Sequence, residues 1–221
     1  MSEAVLFDLD ETLLDRTTSL QSFLRDQFAR FSEHLGPVDY STWEARFLKL
    51  DARGSQPKSK VYPVLLHEFG GQIAAADQLL ADYAENCCRH AQPFDGMTRV
   101  LVQLRSAGKR LGIVTNGDCA FQSRHLEALN LRQLVDEVLV SEAEGLRKPD
   151  PQLFLRAATR LGLSPEQCLF VGDNPRADIL GAAAVGMETA WFRCGQAWPD
   201  SLPNNPGATV ETLHEVVALA G

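Results

Sequence analysis

The stretch Ala4-Val5-Leu6-Phe7-Asp8-Leu9-Asp10-Glu11-Thr12 decides the fold. Its first four residues are apolar without alternation, and the run then turns acidic. A strand with one wet face would alternate, whereas an unbroken apolar run fits a strand buried on both faces of a parallel sheet. Similar runs return only much later: Arg110–Thr115 (RLGIVT), 135–141 (VDEVLVS) and Cys168–Gly172 (CLFVG). A fifth, Glu188–Phe192 (ETAWF), is shorter. Helical patterns separate them. In 97–107, Val100, Leu101 and Leu104 share a face, and Gly108 follows as a helix stop. Asp150-Pro151 reads as an N-cap with proline at the first helical position, ahead of the stripe Leu153, Phe154, Ala157 and Ala158. Ser164-Pro165-Glu166 repeats that signal for a very short turn. Strand–helix–strand alternation with short connections predicts an open α/β parallel sheet with helices on both faces.

Residues 15–92 read differently. Leu20, Phe23, Leu24, Phe28, Phe31 and Leu35 recur at helical spacing and end at Gly36-Pro37. Ser41-Thr42-Trp43-Glu44 has the form of a capping box opening a second helix to about Leu50. The polar stretch 51–60 (DARGSQPKSK) interrupts, and 61–69 and 74–90 read helical again. No strand signal occurs here, so an all-helical insertion over 15–92 is expected, with 1–14 and 93–221 forming the α/β core. Residues 199–207 read as loop, followed by a last helix over 212–219.

Composition narrows the function. The 221 residues carry 21 Lys+Arg against 29 Asp+Glu, a net charge of −8. Nucleic-acid polymers and anionic membrane surfaces need clustered positive charge, so neither is expected as a partner, although a small anion needs only a local site. No apolar run approaches the roughly 18 residues that span a bilayer, and Met1-Ser2-Glu3-Ala4-Val5 lacks a secretory n-region. Cys87, Cys88, Cys119, Cys168 and Cys194 form no C-x-x-C pair. A reduced, cytoplasmic protein is the expectation.

In open α/β sheets, ligands bind at the carboxyl ends of the strands. The residues there are Asp8-Leu9-Asp10-Glu11-Thr12, Thr115-Asn116-Gly117 and Gly172-Asp173-Asn174, with Lys148 in the connection after the third run. Asp8 and Asp10 are two apart on extended chain and point the same way. Asp173 could join them, with Asp178 one helical turn on. Several carboxylates in one crevice repel each other, and a hard divalent cation such as Mg²⁺ resolves that repulsion. Thr115, Asn116 and Lys148 offer donors to an anion, and the lysine offsets part of the negative charge.

Together, Asp8-x-Asp10-x-Thr12, Thr115-Asn116, Lys148-Pro149 and Gly172-Asp173-x-x-x-x-Asp178 resemble the four motifs of the haloacid dehalogenase-like (HAD) hydrolase superfamily. The match runs in order from the first strand to about Phe192. It implies a Rossmann-like core, with the helical insertion as a type 1 cap, and places the chain nearest the small phosphatases and nucleotidases bearing that cap. It also implies hydrolysis of a small phosphorylated metabolite (a nucleotide, sugar phosphate or phosphoglycolate-like acid) through an aspartyl-phosphate. Asp8 would be the nucleophile, and Asp10 the acid and then the base. Thr115 and Lys148 would hold the phosphoryl oxygens, with Asn116 a secondary substrate contact. Mg²⁺ would take the Asp8 carboxylate, the Asp10 backbone carbonyl and Asp173, and Asp178 would orient that shell.

A haloacid dehalogenase lacks an aspartate two positions after its nucleophile, so Asp10 argues for phosphoryl transfer. A phosphomutase would keep all four motifs and differ in the cap. A phospho-aspartate signalling receiver has no use for a helical insertion of this length. In the cap, Arg53, Lys58 and Lys60 reverse the local charge in the loop 51–60, and Arg53 is the candidate contact to the leaving group. The five histidines (34, 67, 90, 125 and 214) lie on predicted helices without ligand spacing, and Trp43 and Trp191 read as packing residues.

Overall fold

The computed structural model describes residues 2–221. It divides into two compact units, Met1–Asp15 with Gln92–Gly221, and Arg16–Ala91. In chain order, the strands are β1 (Ala4–Phe7), β2 (Arg110–Thr115), β3 (Glu137–Val140), β4 (Cys168–Gly172), β5 (Glu188–Phe192) and β6 (Ala208–Val210). The helices are α1 (Arg16–Phe31), α2 (Tyr40–Asp51), α3 (Lys58–Glu68), α4 (Ala76–Asn86), α5 (Met97–Ser106), α6 (Cys119–Ala128), α7 (Ser141–Glu144), α8 (Pro151–Arg160), α9 (Gly181–Ala183) and α10 (His214–Ala220).

The first unit holds one parallel six-stranded sheet in the order β3-β2-β1-β4-β5-β6. It is the α/β class that the apolar runs predict. β1 lies at its centre, with Ala4 opposite both Arg110 and Cys168, and Phe7 opposite both Ile113 and Val171. All four β1 residues are fully buried, which is why that run has no polar alternation. From β1 the chain steps outward to β2 and β3, then returns to β4 on the other side. The switch point therefore falls between β1 and β4, where such sheets bind ligands.

Local chemistry fixes the helices around it. The Asp150 carboxylate accepts from Gln152 N at 2.9 Å and Pro151 opens α8, so the predicted cap forms. Leu153, Phe154, Ala157 and Ala158 are buried against Ala4, Leu6 and Phe170. The rings of Phe154 and Phe170 meet edge to face at 5.1 Å, a geometry that adds to the area both bury. Three details differ from expectation. β3 begins at Glu137, because Asp136 turns its carboxylate to accept from Leu111 N at 2.8 Å. β6 is an additional short strand, pairing Ala208 with Ala190 on β5. α10 starts at His214, after Glu215 Oε1 has accepted from Thr212 N at 2.8 Å and Glu211 N at 3.1 Å.

The second unit is helical throughout. Phe23, Leu24, Trp43, Phe47, Tyr62, Leu65, Leu66 and Leu79 are buried, and a polar cluster joins its helices. Tyr62 donates to Gln27 Oε1 at 2.8 Å, and Gln27 Nε2 donates to Asp82 Oδ2 at 2.9 Å. Arg30 grips the same carboxylate through two bonds of 2.6 and 2.9 Å. The cap of α2 is Asp39 rather than Ser41, accepting from Thr42 N at 3.0 Å. A carboxylate there gains from the helix dipole as well as from the bond.

The loop expected over 51–60 is shorter, because Asp51 ends α2 and Lys58 opens α3. Lys58 is buried, pairing with the Asp51 carboxylate that also meets Arg16 at 3.0 Å. Of the three cations grouped by sequence, only Arg53 stands in the loop itself. It is exposed, at a left-handed φ of 55° between Ala52 at 46° and Gly54 at 84°. Asp51 holds that turn by accepting from Gly54 N at 2.8 Å.

Candidate active site

The β1 ladder runs one residue past the strand, with Asp8 N donating to Val171 O at 2.9 Å. The chain then turns tightly over buried Leu9, whose carbonyl accepts from Leu13 N at 3.0 Å and Leu14 N at 2.9 Å. Two carboxylates thus leave one strand end in succession. Asp8 is buried, while Asp10 is partly exposed.

Lys148 reaches this point from the connection after β3. Its ammonium lies 2.6 Å from Asp8 Oδ1 and 2.7 Å from Asp178 Oδ1. Asn116 sets its backbone: Lys148 N donates to Asn116 Oδ1 at 2.9 Å, and Asn116 Nδ2 donates to Lys148 O at 3.1 Å. The amide read as a substrate contact is therefore first a clamp on Lys148, with a single N–H left over.

Asp173 and Asp178 come from the turn after β4. Asn174 Oδ1 accepts from Arg176 N at 3.1 Å and Ala177 N at 2.9 Å, opening a π-helical turn over Pro175–Leu180. That wide turn carries Asp178 back over β4, where its Oδ2 accepts from Asn174 N at 2.9 Å. A Cβ on Gly172 would stand 2.6 Å from that of Asp178, so only glycine admits the fold-back. Trp191, opposite Gly172 in the β4–β5 register, donates its indole N–H to Asp173 O at 2.9 Å. It is therefore more than the packing residue expected of it. Trp191→Phe strands a buried carbonyl, a loss of about 1–3 kcal/mol. A urea titration is expected to show the lowered midpoint, and an unchanged midpoint would mean that this bond supports nothing.

Asp8, Asp173 and Asp178 each present a carboxylate oxygen, and these oxygens all lie within 4.8 Å of one another. Burial pushes the Asp8 carboxyl well above the usual carboxylate range; Lys148 opposes the rise, while Asp178, Asp173 and Asp10 add to it. Burial also works against the Lys148 charge, but Asp178 and Asp8 outweigh it and hold the ammonium above the ordinary lysine range. Three crowded carboxylates against one ammonium leave the cluster short of positive charge. An all-oxygen donor set of that kind fits a hard divalent cation.

The Asp10 carboxylate is outside this cluster. Its Oδ2 accepts from Gln122 Nε2 at 2.8 Å, and the same nitrogen donates to Thr115 Oγ1 at 2.9 Å. Sequence reasoning missed Gln122, a buried amide on α6. Residue type alone does not separate it from a surface glutamine; its spacing four residues after the Asp118 cap was the available signal. His125, expected on a helix without ligand spacing, is buried with Nδ1 3.3 Å from Gln122 Oε1. Arg53 belongs to the helical unit. Among the described residues, no helix is long and apolar enough to cross a membrane.

Fold and site together define a Rossmann-like α/β protein with a carboxylate–lysine cluster at the switch point of its sheet. The chain belongs to the haloacid dehalogenase-like hydrolase family, whose model matches residues 3–186. It is 31% identical over 218 residues to the N-acetylmuramic acid 6-phosphate phosphatase of Pseudomonas aeruginosa, covering 96% of this chain and 91% of that one. It is 29% identical over 200 residues to the glyceraldehyde 3-phosphate phosphatase of Pyrococcus abyssi, covering 89% of this chain and 83% of the relative. Among solved structures, the HAD-hydrolase YfnB from Bacillus subtilis bound to magnesium is similar, with a TM-score of 0.77 and 26% identity over 100% of this chain and 99% of that one.

Proposed function

We propose that this chain, a phosphatase of small phosphorylated metabolites, works through an aspartyl-phosphate on Asp8. The observation that carries the reading is the Lys148 ammonium seated between Asp8 and Asp178, at 2.6 and 2.7 Å. Such a cation steadies the nucleophile and meets the charge that spreads over phosphoryl oxygens during transfer. An Asp8 carboxylate oxygen bonds to phosphorus as the bond to the ester oxygen breaks, and Asp10 gives that departing oxygen its proton. Asp10, now ionised, takes a proton from water. The water oxygen bonds to phosphorus, the Asp8 oxygen leaves, and orthophosphate is released.

Thr115 donates its hydroxyl proton to a phosphoryl oxygen, and the remaining Asn116 N–H is a secondary contact. Asp8, Asp173 and the Asp10 backbone carbonyl would hold Mg²⁺, with Asp178 fixing their arrangement together with Lys148. When bound, the ion neutralises charge on the transferring group. The helical segment is the cap, and its Arg53 reads the leaving group. Five cysteines, all free, support a reducing cytoplasm as the setting.

Phosphatase relatives are named for a phosphorylated sugar acid, a phosphorylated triose, phosphoserine and a pyrimidine nucleotide. Small phosphate monoesters as a class are therefore the substrate range, rather than sugar phosphates alone. A panel of phosphorylated metabolites assayed with Mg²⁺ is expected to release orthophosphate, and the ester hydrolysed fastest is the metabolite this chain acts on. Arg53→Ala is expected to lower kcat/KM for that metabolite at least about tenfold while leaving p-nitrophenyl phosphate nearly unaffected. No orthophosphate from any ester contradicts the phosphatase reading, and equal losses on both substrates contradict the role of Arg53.

A further inference from the structure

We infer that Gln122 is a positioning residue for proton transfer by Asp10, an inference that rests on the mechanism proposed above. Its side chain is 2% exposed, and its amide is committed on both ends. Nε2 lies 2.8 Å from Asp10 Oδ2, 2.9 Å from Thr115 Oγ1 and 3.3 Å from the Asn116 carbonyl. The Asn116 carbonyl only accepts, so the NH₂ end must face it. Oε1 then turns to His125 Nδ1 at 3.3 Å. An amide oxygen only accepts, so in this contact Nδ1 carries the proton. Buried His125, whose ring meets Phe121 edge to face at 4.7 Å, thus fixes which way the amide points.

Two consequences follow for the reacting groups. With Oδ2 occupied by an amide N–H, Oδ1 is the Asp10 oxygen placed to pass a proton to the departing group. With its oxygen accepting from Gln122, the Thr115 hydroxyl keeps its own proton for a phosphoryl oxygen. The local backbone is shaped for this arrangement. Gln122 follows the Asp118 cap, with Gln122 N donating to Asp118 O at 2.9 Å. A Cβ on Gly117 would stand 2.8 Å from Gln122 Cγ and 3.0 Å from Nε2, so glycine leaves room for the amide to reach Asp10.

The test compares two esters of nearly equal size that differ in leaving group, phenyl phosphate and p-nitrophenyl phosphate. Phenoxide needs a proton to depart, whereas p-nitrophenoxide hardly does. kcat/KM is the quantity to read, because it ends at formation of the aspartyl-phosphate. General acid catalysis contributes about 10²–10⁴-fold. Gln122→Met, similar in length and without an N–H, is therefore expected to lower kcat/KM for phenyl phosphate at least about tenfold and for p-nitrophenyl phosphate less than about threefold. Gly117→Ala, which displaces the amide without removing it, is expected to give the same split and carries the test should Gln122→Met not fold. Equal losses on the two esters, or no loss on either, overturn the inference while leaving the proposed function standing. A wild-type protein that releases orthophosphate neither from these two esters nor from any metabolite of the panel overturns both.

Discussion

Asp8→Asn abolishes turnover and leaves the chain at least as stable as the wild type. The substitution keeps the shape of the side chain and removes the carboxylate proposed to attack phosphorus in the first step. Knocking out the nucleophile of a site that works as one unit costs on the order of 10⁴–10⁶-fold in kcat. The stability half of the expectation has a separate cause. Asp8 is buried beside Asp173 and Asp178, and its carboxyl is held well above the usual range, first by burial and then by those neighbours. A carboxyl whose folded pKa is raised supports the fold while protonated and loses that support as pH rises through the raised value. At neutral pH without metal, asparagine removes that repulsion, and Lys148 still has Asp178 at 2.7 Å. For a chain of this size each kcal/mol moves Tm by about 2–4 °C, so a raised Tm is the readout. The rise should shrink as pH falls and Asp8 takes up its proton. Near-normal turnover in the variant would show that another group is the nucleophile, and a lower Tm at neutral pH would refute the account of the cluster.

Chelation is expected to remove activity completely, and Mg²⁺ to restore it. Ca²⁺ is expected not to, since its longer bonds and larger coordination number do not match a compact oxygen cluster. Asp173→Ala removes one of three oxygens that lie within 4.8 Å of one another. Losing a residue that merely supports a ligand typically weakens metal binding about 10–100-fold, so the Mg²⁺ concentration giving half-maximal rate should rise by at least that much. A calorimetric titration of the Asp8→Asn and Asp173→Ala proteins separates binding from turnover. Full activity in excess chelator would contradict the metal assignment.

Much of this site is legible in the sequence because its signals are local. Asp8 follows four apolar residues, Thr115 ends another apolar run, and Gly172-Asp173 ends a third, so strand ends and the residues gathered there are read in one step. What stays hidden depends on non-local register and on burial. Trp191 meets Asp173 because β4 and β5 pair Gly172 with Trp191, and parallel pairing leaves no trace in either strand alone. Lys58 reads as a loop cation because its neighbours 53–60 are polar. Its actual environment includes Arg16 and Asp51, which are 35 residues apart and themselves in contact. Gln122 is hidden for a third reason: an amide on a helix looks the same in sequence whether it faces water or a carboxylate.

The central claim is that phosphorus bonds transiently to Asp8. Asp10→Asn, which keeps Asp8 and removes the base that activates water, should accumulate that adduct when given p-nitrophenyl phosphate, whose leaving group needs little protonation. After acid quenching, peptide mass spectrometry is expected to find one phosphoryl group on the peptide containing Asp8, and none on the same peptide from Asp8→Asn treated alike. A phosphoryl group on any other residue, or release of p-nitrophenol with no protein-bound phosphate at any time, would contradict the account.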